Sequence, residues 1–100
     1  MSLPMWEVDV PMRMPGRPRP VGLHIFLGRA DSPSGALKAA REAYTWALLL
    51  HRAGREIPRS AHRGGWAARG LRADCDLDWD RARTELWARG RALPLMSFGV

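Results

Sequence analysis

Residues 31–54 read DSPSGALKAAREAYTWALLLHRAG, and each local signal in them points to one long helix. Ser32 is a good N-cap, since its hydroxyl can accept from an early helical N–H, and Pro33 suits the first helical position, where a missing N–H costs nothing. Alanine and leucine dominate the interior, no proline interrupts it, and Gly54 supplies a stop. His51 and Arg52 put positive charge in the last turn, at the negative end of the helix dipole. Leu37, Ala40, Tyr44, Ala47, Leu48 and His51 form a stripe at helical spacing, and Ala36, Ala39, Ala43, Trp46 and Leu50 widen it. A face this broad requires a sheet or a second helix over it.

Toward the N-terminus the period changes from helical to two. From Met5 to Pro15, Trp6, Val8, Val10, Met12 and Met14 alternate with Glu7, Asp9, Pro11, Arg13 and Pro15, the pattern of a half-buried strand. Pro11 and Pro15 cannot donate to a ladder, which places this strand at least partly at a sheet edge. PGRPRP, residues 15–20, reads as a hairpin connection. A second strand follows over Val21–Gly28, with Val21, Leu23, Ile25 and Leu27 expected inward and His24 and Phe26 outward.

Beyond the helix, residues 55–70 carry Pro58, Gly64, Gly65 and Gly70 and read as a loop. Leu71, Ala73, Cys75, Leu77 and Trp79 then alternate with Arg72, Asp74, Asp76, Asp78 and Asp80, which predicts a third strand with an acidic outer face. A second helix is expected from Asp78, with Trp79, Ala82, Leu86 and Leu93 near helical spacing, Glu85 and Arg89 as an i,i+4 pair, and Gly90 and Pro94 at its end. The apolar tail LPLMSFGV is expected to dock. The fold expected is a single small α+β domain over residues 1–100, a β-β-α-β-α sandwich whose antiparallel sheet is covered by one long and one shorter helix.

Composition bounds the function. The chain of 100 residues has a formal charge of +6, lacks Asn and Gln, and draws 15 of its 16 basic residues from arginine. Codon usage in a GC-rich genome accounts for such a bias, and so does the grip of bidentate arginine on phosphate or carboxylate. A lone cysteine, Cys75, forms no intramolecular disulfide and no thiolate metal cage; flanked by Asp74 and Asp76, it is expected in the core rather than as a nucleophile. MSLPMWEVDV lacks the charge and apolar core of a secretory signal, and the longest apolar run, Ala47–Leu50, is too short to span a membrane. A cytoplasmic protein is expected.

No histidine pair at ligand spacing, phosphate loop or nucleophile elbow is visible, so no catalytic residue, metal or cofactor is assigned, and a non-enzymatic protein is expected. Acids at 74, 76, 78, 80 and 85 overlap the calcium-loop pattern, but Trp79 stands where that loop needs glycine. They are expected to face solvent or arginine. The arginine-rich connection is the candidate binding site. Residues 51–72 hold Arg52, Arg55, Arg59, Arg63, Arg69 and Arg72 against Glu56 alone, with Trp66 interleaved. Arginines there could clamp phosphates while Trp66 stacks a base.

ADSPSGALKAAREAYTWALLLHRAGREIPRS, residues 30–60, resembles the helix region of the HicB-like antitoxins. The shared elements are the polar cap Asp31-Ser32, the pair Ala36-Leu37, the spaced Ala40 and Ala43, then Gly54, Ile57-Pro58 and Ser60. The resemblance implies a β-β-α partner-binding sheet. PGRPRP is not the Pro-Gly-Cys-like turn of that family, and the remaining length is too short for its usual DNA-binding domain. The leading expectation is a small basic binding protein engaging nucleic acid, a nucleic-acid-processing partner or an acidic protein, in an antitoxin-like regulatory role. The alternative is a structural, adaptor or inhibitor protein, such as a subunit of a larger phage or mobile-element assembly. Either could use a sheet edge to form a homo-oligomer or hetero-complex.

Overall fold

The structure is a computed structural model and describes residues 3–59 and 63–87. Strand β1 (Met5–Arg13) is followed by β2 (Pro20–Arg29), helix α1 (Pro33–Arg52), a two-residue strand β3 (Asp76–Leu77), a single 3-10 turn (Trp79–Arg81) and strand β4 (Arg83–Leu86). All strand pairs are antiparallel, β2 on one side of β1 and β3 and β4 successively on the other. One long helix covers one face of this sheet, an α+β arrangement.

The helix forms where its sequence signals place it. Ser32 Oγ accepts from Gly35 N–H at 3.1 Å, with Pro33 at the first turn. At the other end Gly54 takes a left-handed φ of 69°, its N–H bonding His51 C=O at 3.0 Å, while Arg55 N–H bonds Leu50 C=O at 2.8 Å. These two bonds satisfy carbonyls that a helix end otherwise leaves unpaired. The buried stripe is narrower than expected: Ala36, Ala40, Ala43 and Ala47 face the sheet, Leu37, Tyr44 and Leu48 are half-buried, and Trp46 and Leu49 are exposed. Alanine lets the helix approach closely, so the bulky core side chains come from elsewhere: Trp6, Val8 and Val10 from β1, Phe26 from β2 and Trp66 from the connection after the helix.

β1 is the central strand, not an edge, which corrects the expectation drawn from its prolines. Pro11 is tolerated there because its missing donor faces the gap between β3 and β4, where the chain leaves the sheet for the 3-10 turn. Its carbonyl is still used, accepting from Asp78 N–H at 2.9 Å. The hairpin expected at PGRPRP is present. Arg17 N–H bonds Met14 C=O at 3.0 Å, Gly16 has a φ of 77°, and the Arg13 guanidinium donates to Pro18 C=O.

β2 presents the opposite face from the one expected. Val8 pairs with Phe26, Val10 with His24 and Trp6 with Gly28. Cross-strand partners share a face, so once Trp6, Val8 and Val10 turn inward, Gly28, Phe26 and His24 must follow. Val21, Leu23, Ile25 and Leu27 are left outward, with relative exposures of 46, 53, 54 and 41%.

The third strand is also shorter than its alternation predicts. A turn with Cys75 N–H bonded to Arg72 C=O and a left-handed Gly70 occupies most of it. Its sidedness holds only over 75–77, where Cys75 is buried, Asp76 exposed and Leu77 half-buried; Ala73 is exposed and Asp78 is half-buried against that expectation. The second helix is overturned over its described part. After the 3-10 turn, residues 83–86 extend as β4 and pair with β1, and Trp87 N–H bonds Met5 C=O at 2.9 Å. Arg89, Gly90, Leu93, Pro94 and the tail lie outside the described residues, as do Ser60 and His62.

Candidate functional site

Two features stand apart from the packed core: the arginine-rich connection and the outer side of β2. Arg52 lies in the last helical turn, Arg55 just past the cap, and Arg59, Arg63, Arg69 and Arg72 follow; all six are exposed. Arg72 is committed to Asp74 at 2.8 Å, and its guanidinium holds the Asp74 carboxyl below the usual carboxylate range. The other ion pairs among the described residues join Arg13 and Arg81 to Asp78, at 3.2 and 3.7 Å. Arg52, Arg55, Arg59, Arg63 and Arg69 therefore make none there. Arg63 lines two open clefts of about 410 and 330 Å³ beside the helix, and Glu42 shares both with it. A carboxylate in those clefts makes them poor anion cradles.

Trp66 does not stand with the arginines as a stacking surface. It is 1% exposed, its indole N–H donates to Arg29 C=O at 3.0 Å, and its ring lies flat against the Cα of Gly28. Residues 63–66 fold back onto the end of β2, with Arg29 N–H bonded to Gly64 C=O at 2.7 Å. Trp66 is core; a base has no access to its faces.

The acidic row is dispersed rather than convergent. Asp74 and Asp78 are paired with arginine, and the described residues hold no group of three or more His, Cys, Asp or Glu placed to share a metal ion. Trp79 leads away from the row into an aromatic chain. Its ring lies 5.6 Å from Phe26 and 5.8 Å from Tyr44, and the Arg41 guanidinium sits 5.4 Å above it.

His24 ends that chain, 4.5 Å from Phe26. It is buried, not the sheet-surface residue expected, and its Nε2 has no hydrogen-bond partner among the described residues. Burial disfavours the charged imidazolium and pushes its pKa below the ordinary 6.5. The unfolded chain then binds a proton that the folded chain refuses. Stability is full above about pH 6.5 and falls below it, at most about 1.4 kcal/mol per pH unit, until the folded-state pKa is reached. Urea denaturation between pH 5 and 7.5 is expected to show this slope in the parent and not in His24→Leu. An identical slope in both would place the titration elsewhere.

The outer side of β2 is the less expected feature. Its four aliphatic residues face solvent on a strand whose other neighbour is missing among the described residues. Beside them on the same face, Glu7, Asp9 and Pro11 of β1 sit opposite Leu27, Ile25 and Leu23. The result is an apolar stripe bordered by acids. The sequence carried its signal in the parity of β1 and β2 taken together, not in β2 alone.

No described helix is long and apolar enough to cross a membrane. Comparison with known proteins finds no matching family model, no matching curated protein and no matching solved structure.

Proposed function

We propose that this chain is a small non-enzymatic binding module that acts by protein–protein contact, with strand β2 as its recognition element. The observation that carries this reading is the row Val21, Leu23, Ile25 and Leu27, solvent-facing on an open edge strand. Small proteins seldom leave a contiguous aliphatic row and an unpaired backbone edge in the same place, because the pair invites another chain. A structural, adaptor or inhibitor role within a larger assembly follows from such a surface. The partner-binding sheet that the HicB-like resemblance implies is compatible with this surface, since α1 covers one face of the sheet and leaves the aliphatic row on the other. The test is recovery of bound protein and nucleic acid, both identified, by the parent and by Ile25→Lys. Protein retained by the parent and lost with the lysine is the expected result; retention by both would remove β2 from the site.

Nucleic-acid binding is the second reading, supported by the exposed Arg52, Arg55, Arg59, Arg63 and Arg69 without ion pairs among the described residues. If they grip phosphates, affinity falls with salt as condensed cations are released, the slope of log K against log salt being about −0.9 for each duplex phosphate contacted. Arg55→Ala with Arg59→Ala is expected to flatten that slope by roughly two contacts and leave the melt within about 0.5 kcal/mol of the parent. Any chain of charge +6 adheres weakly to polyanions, so the change in slope, not binding itself, is the diagnostic. An unchanged slope would make the arginines a solvated surface.

A further inference from the structure

We propose that the occupant of the β2 edge is a second copy of this chain, the two β2 strands pairing antiparallel about a two-fold axis through Ile25. This inference rests on β2 as the recognition element and commits it to one partner.

The direction of the edge follows from a single bond. Arg29 N–H points away from β1 to reach Gly64 C=O. In an antiparallel strand alternate residues point their backbone groups to the same side. Leu27, Ile25 and Leu23 therefore direct their N–H and C=O groups away from β1 too, into the open edge. Among the described residues, the Gly64 loop alone covers this edge, and it does so at the Arg29 end. Between Gly22 and Arg29 there is no proline, charge or inserted residue to discourage pairing; the irregularity in the β1–β2 ladder, Val21 left over between the pairs Met12–Gly22 and Arg13–Pro20, lies outside that stretch. Edges left open in this way are normally blunted by one of those devices.

What selects a second copy is the sequence of the edge itself. Residues 22–28 read GLHIFLG, and their chemistry is the same in both directions: glycine, leucine, ring, isoleucine, ring, leucine, glycine. Antiparallel pairing about Ile25 sets Gly22 against Gly28 of the other copy, Leu23 against Leu27, His24 against Phe26 and Ile25 against itself. The hydrogen-bonded pairs are those of Leu23, Ile25 and Leu27, whose groups already point outward. The outward side chains of Leu23, Ile25 and Leu27 each meet another aliphatic one. Arg29 falls opposite Val21, so no like charges meet across the strands. A two-fold contact requires one surface to complement itself, and this heptad does. With the axis normal to the sheet, both helices stay on one face and the Gly64 loops lie at opposite ends of the pairing. A single strand pair buries less than the roughly 1,600 Å² of a standard interface, so the association expected is concentration-dependent rather than permanent.

Sedimentation equilibrium of the purified chain over about 1–300 μM tests this. The parent is expected to rise from its 11.2 kDa monomer mass toward twice that value. Ile25→Pro removes an outward N–H that the β1–β2 ladder does not use, and Ile25→Lys places a charge at the axis beside its twin. Both are expected to hold the monomer mass across the range, with far-UV circular dichroism unchanged. Should the proline variant fail to fold, Ile25→Lys tests whether β2 carries the contact, and Leu23→Pro takes over the test of edge pairing, its outward N–H being equally unused by the β1–β2 ladder. A parent monomeric throughout overturns the second copy as occupant and leaves β2 to a different protein. A dimer surviving both variants puts self-association on another surface and overturns this assignment, while the role of β2 stands or falls on the partner recovery with Ile25→Lys. Loss with lysine but not with a folded proline variant would replace edge pairing by stacking of the aliphatic faces.

Discussion

Trp66→Ala is expected to cost about 3–5 kcal/mol of folding stability, the range for truncating a buried aromatic. Trp66 is the largest fully buried side chain among the described residues, and its indole N–H bonds Arg29 C=O. It also anchors the connection leaving the helix, since Gly64 C=O of the same turn takes Arg29 N–H. Losing the ring removes the apolar contact with Gly28, leaves a cavity beside Phe26 and Ala30, and frees the loop end. Domains of this size have about 5–15 kcal/mol in total, so the variant forfeits a large share. With about 4–8 °C of melting temperature per kcal/mol, the midpoint should drop by more than roughly 12 °C. An exposed stacking platform would behave otherwise, its truncation changing stability by no more than about 0.5 kcal/mol. A thermal melt thus separates a core Trp66 from a ligand-facing one without any ligand.

How far the sequence could be read depended on whether a signal was local. The helix was legible almost to the residue, because Ser32, Pro33 and Gly54 act within one turn of its ends. β1 was legible from its own alternation. The facing of β2 was not, because Phe26 and His24 alternate with four aliphatics and either set can be taken for the core. Pairing with β1 decides it, and pairing is a non-local fact. The described part of the expected second helix failed for a related reason. Trp79, Ala82 and Leu86 suit a helix, while Ala82, Thr84 and Leu86 alternating with Arg83 and Glu85 suit a strand equally well. The unfilled edge of β1 selects the strand. Loop-like composition around Trp66 hid its burial. The clue lay elsewhere, in Gly28, a glycine inside a strand, which marks a close approach by another group.

Gly28→Ala tests that clue directly, and a loss of about 2–6 kcal/mol is expected. A Cβ on residue 28 would lie within the Trp66 ring, 2.5 Å from Cγ and nearer still to two other ring carbons. Gly28 cannot retreat, because it is paired with Trp6 in the ladder. The indole must move instead. Overpacking of this kind costs about 1–3 kcal/mol, and breaking the bond to Arg29 C=O exposes a further penalty of about 1–3 kcal/mol for a buried group left unpaired. The effect belongs to the pair and not to the strand, which a double-mutant cycle shows. Once Trp66→Ala has removed the ring, the added methyl meets open space and reduces the freedom of the unfolded chain, a gain of about 0.4–1 kcal/mol. Gly28→Ala should therefore change sign in that background, from strongly destabilising to slightly stabilising. Melts that agree at two protein concentrations tenfold apart keep self-association out of the comparison. If instead the two substitutions add within about 0.5 kcal/mol, the glycine is not there to seat the tryptophan.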